Sequence, residues 1–265
     1  MIGGTRTLAT LSIIAMLACT TAAAASDDFS GLLESGYAYD EANSKTGKHA
    51  DQYDARGAVL FTLDDPGFAI QLDAATSGIA HTGTSSRLWS AGGDLFWRDD
   101  KGTFGISGSY STLSDPAFPV FSVRRDVENY GLFGEYYVTD NLTLQIRGGG
   151  IAGNHDETAY TGGGGLTFYD SPDLAFHSEI NFTAFKAGSD WTDIDTSLEY
   201  LPFRSFPLGF YAGYDWSNVT HKGYVSTIFA GLRLHLAPGG SLVDFQRTGP
   251  IDWTGAATDG AKLKF

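Results

Sequence analysis

The sequence predicts an all-β chain whose strands close into an antiparallel transmembrane β-barrel of about twelve strands in meander order. Three observations carry this. About a dozen segments alternate apolar and polar residues at period 2, the signature of a strand whose successive side chains point to opposite faces. The apolar faces end in aromatic residues and hold aliphatic ones between, as in the girdles of a membrane barrel. The connections alternate between tight turns and longer segments.

The N-terminus stands apart. MIGGTRT, with Arg6 its only charge, precedes the apolar run Leu8 to Ala18 and then CTTAAAAS, with Ala23-Ala24-Ala25 before Ser26. This is a cleaved secretory leader, and its apolar run is shorter than the roughly 20 residues of a membrane helix. We therefore take 1–25 as leader, 26–236 as barrel and 237–265 as a periplasmic C-terminal tail. Cys19 is the only cysteine and leaves with the leader, so the mature chain has no disulfide. MLAC around it is a loose lipoprotein-box match, with Met16 where Leu is usual.

Without Arg6 the mature chain carries 16 basic and 31 acidic residues, a net charge of −15. That excludes a nucleic-acid binder, which needs a basic stripe. Mean hydropathy is −0.11, so the chain is not apolar overall, yet it is rich in strand formers and Gly.

Taken in order, Leu33, Ser35, Tyr37 and Tyr39 form one face of the first strand, opposed by Leu32, Glu34, Gly36 and Ala38. Tyr53 to Leu63 follows, with Asp54 and Arg56 opposed, then the turn Asp64-Asp65-Pro66-Gly67. Phe68 to Ala74 sets Gln71 and Asp73 opposite its apolar face, and Trp89 to Trp97 sets Asp94 and Arg98. After Asp99-Asp100-Lys101-Gly102 comes Phe104 to Tyr110.

The second half repeats the design. Tyr130 to Val138 opposes Glu135, and Leu142 to Gly148 opposes Gln145 and Arg147. Tyr160 to Phe168 opposes Thr161 and Thr167, and Leu174 to Phe182 opposes His177 and Glu179. Ile194 to Tyr200 opposes Asp193, Asp195 and Glu199, and Leu208 to Trp216 opposes Asp215. Tyr224 to Leu236 closes the series with Arg233 and His235 on its polar face. At about 13 residues it exceeds the roughly 9–11 that a tilted strand needs to cross a bilayer. No apolar-face position named carries a charge, although charged residues are 18% of the chain.

Together these features resemble a Gram-negative outer-membrane β-barrel of the porin-like kind. The resemblance covers residues 27–236. Its most specific piece is Gly231-Leu232-Arg233-Leu234-His235-Leu236, which is similar to a barrel-assembly signal with Gly231, Leu234 and Leu236 at the key places. Phe229 departs from it, standing where a polar residue is expected, and the chain runs on beyond the strand.

The resemblance implies a cell outer-membrane location with both mature termini in the periplasm. It implies passive diffusion of small polar or cationic solutes, with no cofactor and no metal. Its partners would be outer-membrane lipid, lipopolysaccharide and the barrel-assembly machinery, with a homo-oligomer as a further expectation. The pore lining would be Glu34, Asp54, Arg56, Asp73, Asp94, Arg98, Glu135, Arg147, Glu179, Asp193, Asp195, Glu199, Asp215 and Arg233. Acid outnumbers base there, which favours cations. In general porins the loop after the fifth strand narrows the pore, which nominates Asp115, Arg124 and Arg125.

The competing reading is a structural or adhesion barrel whose arginines pair with the acids and fill the lumen. No Ser–His or metal constellation points to an enzyme: His177 and His235 fall on the polar face, His155 and His221 in loops. Gly148, Gly150, Gly162 and Gly164 leave a smooth outward patch suited to a subunit contact or to curvature. The tail is read as poorly ordered, with Phe245 or Trp253 docking into the periplasmic mouth as the sharper alternative.

Overall fold

The computed structural model describes residues 29–43, 49–63, 67–81, 84–114, 125–153, 158–186, 190–203, 206–220, 223–237 and 240–252; the leader, Trp253 and the rest of the tail lie outside these. Twelve strands form: β1 (Phe29–Asn43), β2 (His49–Thr62), β3 (Phe68–His81), β4 (Thr84–Arg98), β5 (Gly102–Ser114), β6 (Arg125–Thr139), β7 (Leu142–Gly153), β8 (Thr158–Ser171), β9 (Leu174–Phe185), β10 (Asp190–Tyr200), β11 (Leu208–Val219) and β12 (Gly223–Leu236). Each pairs antiparallel with its sequence neighbours, and β12 returns to β1 to close the barrel. The closing register sets Leu32 against His235 and Gly36 against Gly231.

Closure is what a bilayer demands. A strand in hydrocarbon has no water to satisfy its N–H and C=O groups, so every edge must be paired. The side chains follow the same logic. Ile146 and Tyr160 point outward and are 68% and 71% exposed, with Leu72, Leu132, Leu198 and Ile228 in the same band. Tyr53, Trp89, Tyr110 and Tyr130 ring this band near one rim and Phe61, Phe68, Phe104 and Tyr136 near the other. No described helix is long and apolar enough to cross a membrane; the crossing elements are strands.

The strands outrun their apolar faces. Segments 41–52, 78–87 and 112–124, which the alternation leaves as the longer connections, give part of their length to the ladder: residues 41–43 and 49–52, 78–81 and 84–87, and 112–114 are strand. Alternation marks only the part of a strand that meets lipid, whereas hydrogen bonding continues into the polar zone. At the opposite rim, which we call the turn end, Phe29 and Leu236 lie together and tight connections join β2 to β3, β4 to β5, β6 to β7 and β8 to β9. Two register shifts, between Tyr137 and Thr139 and between Tyr169 and Ser171, fall at this rim, where bulges bend strand ends.

Inside, large side chains lie over glycines of neighbouring strands. A Cβ on Gly36 would stand 2.5 Å from the Tyr211 hydroxyl, and one on Gly231 would meet the Tyr211 ring at 2.5 Å and the Ser35 carbonyl at 2.4 Å. Tyr211 of β11 thus lies across β12 and β1, over the seam that closes the barrel. Gly231 has a packing reason to be Gly whatever reads it during assembly. We expect Gly231→Ala to destabilise the folded barrel by about 1–3 kcal/mol, the usual cost of overpacking, measured as a lower urea midpoint with the same heat-modifiable gel shift.

Candidate functional site

The interior is where the charged residues meet. Because inward positions recur every second residue, each strand delivers a column of polar side chains to the lumen. A cavity of about 370 Å³ occupies it. Glu34, Asp54, Arg56, Arg147, Glu179, Asp193, Asp195, Glu199, Asp215 and Arg233 line this cavity, as do His177 and His235. Asp73, Asp94, Arg98 and Glu135 do not: Asp73, Asp94 and Glu135 are buried on the inward face, and Arg98 bonds the C-terminal segment described next. Asp115 and Arg124 lie outside the described residues. Arg125 opens β6, and its side chain is likewise outside them.

The floor of the cavity is the chain's own C-terminal segment. Of the tail, residues 240–252 turn back into the barrel and form a short helix, α1 (Leu242–Thr248). Ser241 caps it, its Oγ accepting from the Asp244 N–H at 3.1 Å while its hydroxyl donates to Asp244 Oδ2 at 2.7 Å. Gly249 closes the other end by donating its N–H to the Phe245 carbonyl at 2.8 Å. Leu242 and Phe245 are buried with Tyr169, Ala175 and Leu201, and Ile251 with Leu60, Ala69, Phe96 and Phe133. Phe245 stacks on His235, ring centroids 4.6 Å apart and 8° from parallel, so Phe245 docks inside the barrel at its turn end.

Polar bonds fix the segment from several strands at once. Gln71 on β3 holds the Ile251 backbone at both ends, its Nε2 donating to the carbonyl at 2.9 Å and its Oε1 accepting the N–H at 2.7 Å. Arg56 on β2 donates to the same carbonyl at 3.1 Å. Arg98 on β4 donates to the carbonyls of Arg247 at 3.2 Å and Gly249 at 2.8 Å. These oxygens belong to the helix terminus, which has no partners within the helix, and a cation suits its negative end. Across the mouth, Arg247 donates to the Thr139 carbonyl at 2.9 Å and lies over the Tyr137 ring. Gln246 accepts from Thr143 at 3.1 Å and from Tyr169.

Arg233 joins floor and wall. It contacts Glu34 at 2.8 Å, Glu199 at 2.7 Å and Asp252 at 3.0 Å, and sits 5.1 Å from the Tyr211 ring centroid. His235 bonds the other oxygen of Glu199 at 2.7 Å. Farther round, Arg147 pairs with Glu179 and donates to Asn181 Oδ1 at 2.9 Å, while His177 Nδ1 meets Thr167 Oγ1 at 3.0 Å. The lining also carries Asp40, Asp193, Asp195 and Asp215, and Asp193 and Asp195 stand in register with Asn181 and Glu179, the two residues that Arg147 bonds. Asp40 lies one residue past the apolar window that marks β1, and its inward parity is the signal that finds it.

Gln71, Gln246, Ile251 and Asp252 were not among the candidates read from sequence. The helix left a trace, since Ser241-Leu-Val-Asp244 is a capping box; Ile251 and Asp252 left none.

Among solved structures, the chain is similar to the COG4313 outer-membrane channel of Pseudomonas putida F1, at 8% identity and a TM-score of 0.57, covering 78% of this chain and 95% of that one. It is also similar to the β domain of the Bordetella autotransporter BrkA, at 10% identity and 0.51 over 78% and 99% of the two chains. The NanC porin gives 13% identity and 0.50 over 76% and 98%. At these identities the likeness is one of fold, and the fold is that of a closed outer-membrane β-barrel. No protein-family model and no curated protein matches the sequence.

Two consequences are measurable. Arg98→Ala removes the donors to the helix terminus, costs about 2 kcal/mol of docking, and makes residues 240–252 cleavable by trypsin or proteinase K in an otherwise folded barrel, read by mass spectrometry. Arg233→Met leaves Glu34 and Glu199 without their cation and lowers stability by about 3–5 kcal/mol, read from the urea midpoint.

Proposed function

We propose that this chain is an outer-membrane channel for passive diffusion of small polar and above all cationic solutes, gated at the turn end by its own segment 240–252. The observation that carries the reading is the charge of the cavity wall. Its lining holds nine carboxylates (Glu34, Asp40, Asp54, Glu179, Asp193, Asp195, Glu199, Asp215 and Asp252) against the three arginines Arg56, Arg147 and Arg233. Carboxylates facing a narrow lumen raise the local cation concentration and repel anions.

In this reading the turn end faces the periplasm, so both mature ends lie there, and outer-membrane lipid and lipopolysaccharide surround the apolar band. Gly231, Leu234 and Leu236 serve the assembly machinery, and the side-chain-free face around Gly148 and Gly162 is the surface for a homo-oligomer. The docked segment also favours a second reading, a structural barrel whose lumen stays closed.

Planar-bilayer recordings separate the two. A channel gives cation-selective steps, and truncation after Leu236 raises conductance or open probability severalfold. Silence from both the full chain and the truncated one selects the structural barrel.

A further inference from the structure

The docked segment climbs the bore as it runs. Arg98, the last residue of β4, holds the carbonyls of Arg247 and Gly249 at the turn-end rim. Phe68 opens β3 at the same rim, and Gln71, three residues on, holds Ile251. Thr62 ends β2 there, and Arg56, six residues farther in, holds the Asp252 carbonyl. Strand residues advance about 3.3 Å each, so the segment is fastened deeper in the barrel toward its end. Gly249, Pro250 and Asp252 accordingly line the cavity. At Asp252 the backbone is past the rim and headed inward.

What lies ahead of it is acidic. The cavity lining holds the nine carboxylates and three arginines counted above, an excess of six negative charges, and no lysine. That excess does not depend on any one acid lacking a partner, since pairs such as Arg147 with Glu179 are within the count. The surplus creates a potential that favours any cation in the bore. No strand offsets it with a lysine: Lys45, Lys48, Lys101, Lys186 and Lys222 all stand between strands. The other two lysines, Lys262 and Lys264, follow Asp252 by ten and twelve residues, with Asp259 the one acid on the way.

Reach is not limiting. Arg233 bonds Asp252, and six residues up β12 is Thr227, the register partner of both Asp40 and Asp215. That climb is about 20 Å, whereas ten residues of extended chain span up to roughly 33 Å. A cation on so short a tether has an effective concentration on the order of millimolar.

We propose that residues 253–265 continue up the bore from Asp252 and set Lys262 and Lys264 against its acid-rich lining, so that the chain supplies the cavity with its own cation. This goes beyond the channel reading and does not need it, because the contact is read without conduction.

The mature chain has no cysteine, so an added pair reports alone. Leu263→Cys is combined with Ser197→Cys, a cavity-lining position on β10, or with Lys101→Cys in the turn between β4 and β5. Each refolded mature chain is oxidised in detergent, checked for its heat-modifiable gel shift, and read by mass spectrometry of the linked peptides. The disulfide forms about tenfold faster with Ser197→Cys than with Lys101→Cys, and Lys262→Gln with Lys264→Gln slows it about threefold. Should Ser197→Cys not fold, Ala75→Cys offers a second lining position, on β3, with the same expectation. Faster linkage at Lys101→Cys, linkage at neither position, or a rate indifferent to the two lysines overturns the proposal. Linkage inside a barrel that never conducts leaves the tail contact standing and removes the channel. Cation-selective conduction with linkage at the rim alone does the reverse.

Discussion

The interaction on which everything else rests is the pairing of β12 with β1. Unpaired, these two strands would each present a row of N–H and C=O groups to hydrocarbon, at several kcal/mol per group. Joined, they leave the sheet without an edge. The side chains on the seam are arranged to favour this. Glu34 and Arg233 are register partners and bond one another, and the Tyr211 ring covers the glycines of both strands. The residues that commit the sheet to closing are the same ones that hold the floor, because Arg233 also reaches Asp252.

Seen from the seam, the barrel inverts the usual distribution of side chains. Apolar residues face outward, and the interior is a polar network cut by apolar clusters. One cluster, Leu88, Val127, Ile151 and Ala159 with Phe185 against it, lies toward the rim opposite the turn end. The two others lie at the turn end and take in Ile251, Leu242 and Phe245 of the tail. Apolar packing inside the lumen therefore occurs toward the two rims, and charge occurs between. That division makes the middle of the barrel a charged compartment.

How much of this the sequence disclosed follows from the range of each interaction. Period-2 alternation is local, and the two sides of a lipid-facing strand meet such different surroundings that every inward position in the alternating windows could be named from parity alone. Asp54, Asp195 and Arg233 are examples. Strand ends were not legible, since residues such as Asp51 and Ser111 pair in the ladder without facing lipid. Nor was it legible that Asp73 and Asp94 would fall outside the cavity lining, because parity fixes the face of a residue and not how the interior packs around it. The plug was hidden for the strongest reason: Gln71 to Ile251 and Arg56 to Asp252 are contacts across most of the chain, and neither end carries a local mark of the other.

The docked segment also has a consequence for how the molecule comes into being. Its bonds to β2, β3 and β4 join residues separated by 149 to 196 positions, and contacts of such span form only after the intervening chain is arranged. The mouth that receives α1 is built from strands at both ends of the sequence, so it does not exist until the seam has closed. Docking is thus the last step available to the chain, and a seated tail is a record that the barrel around it was completed.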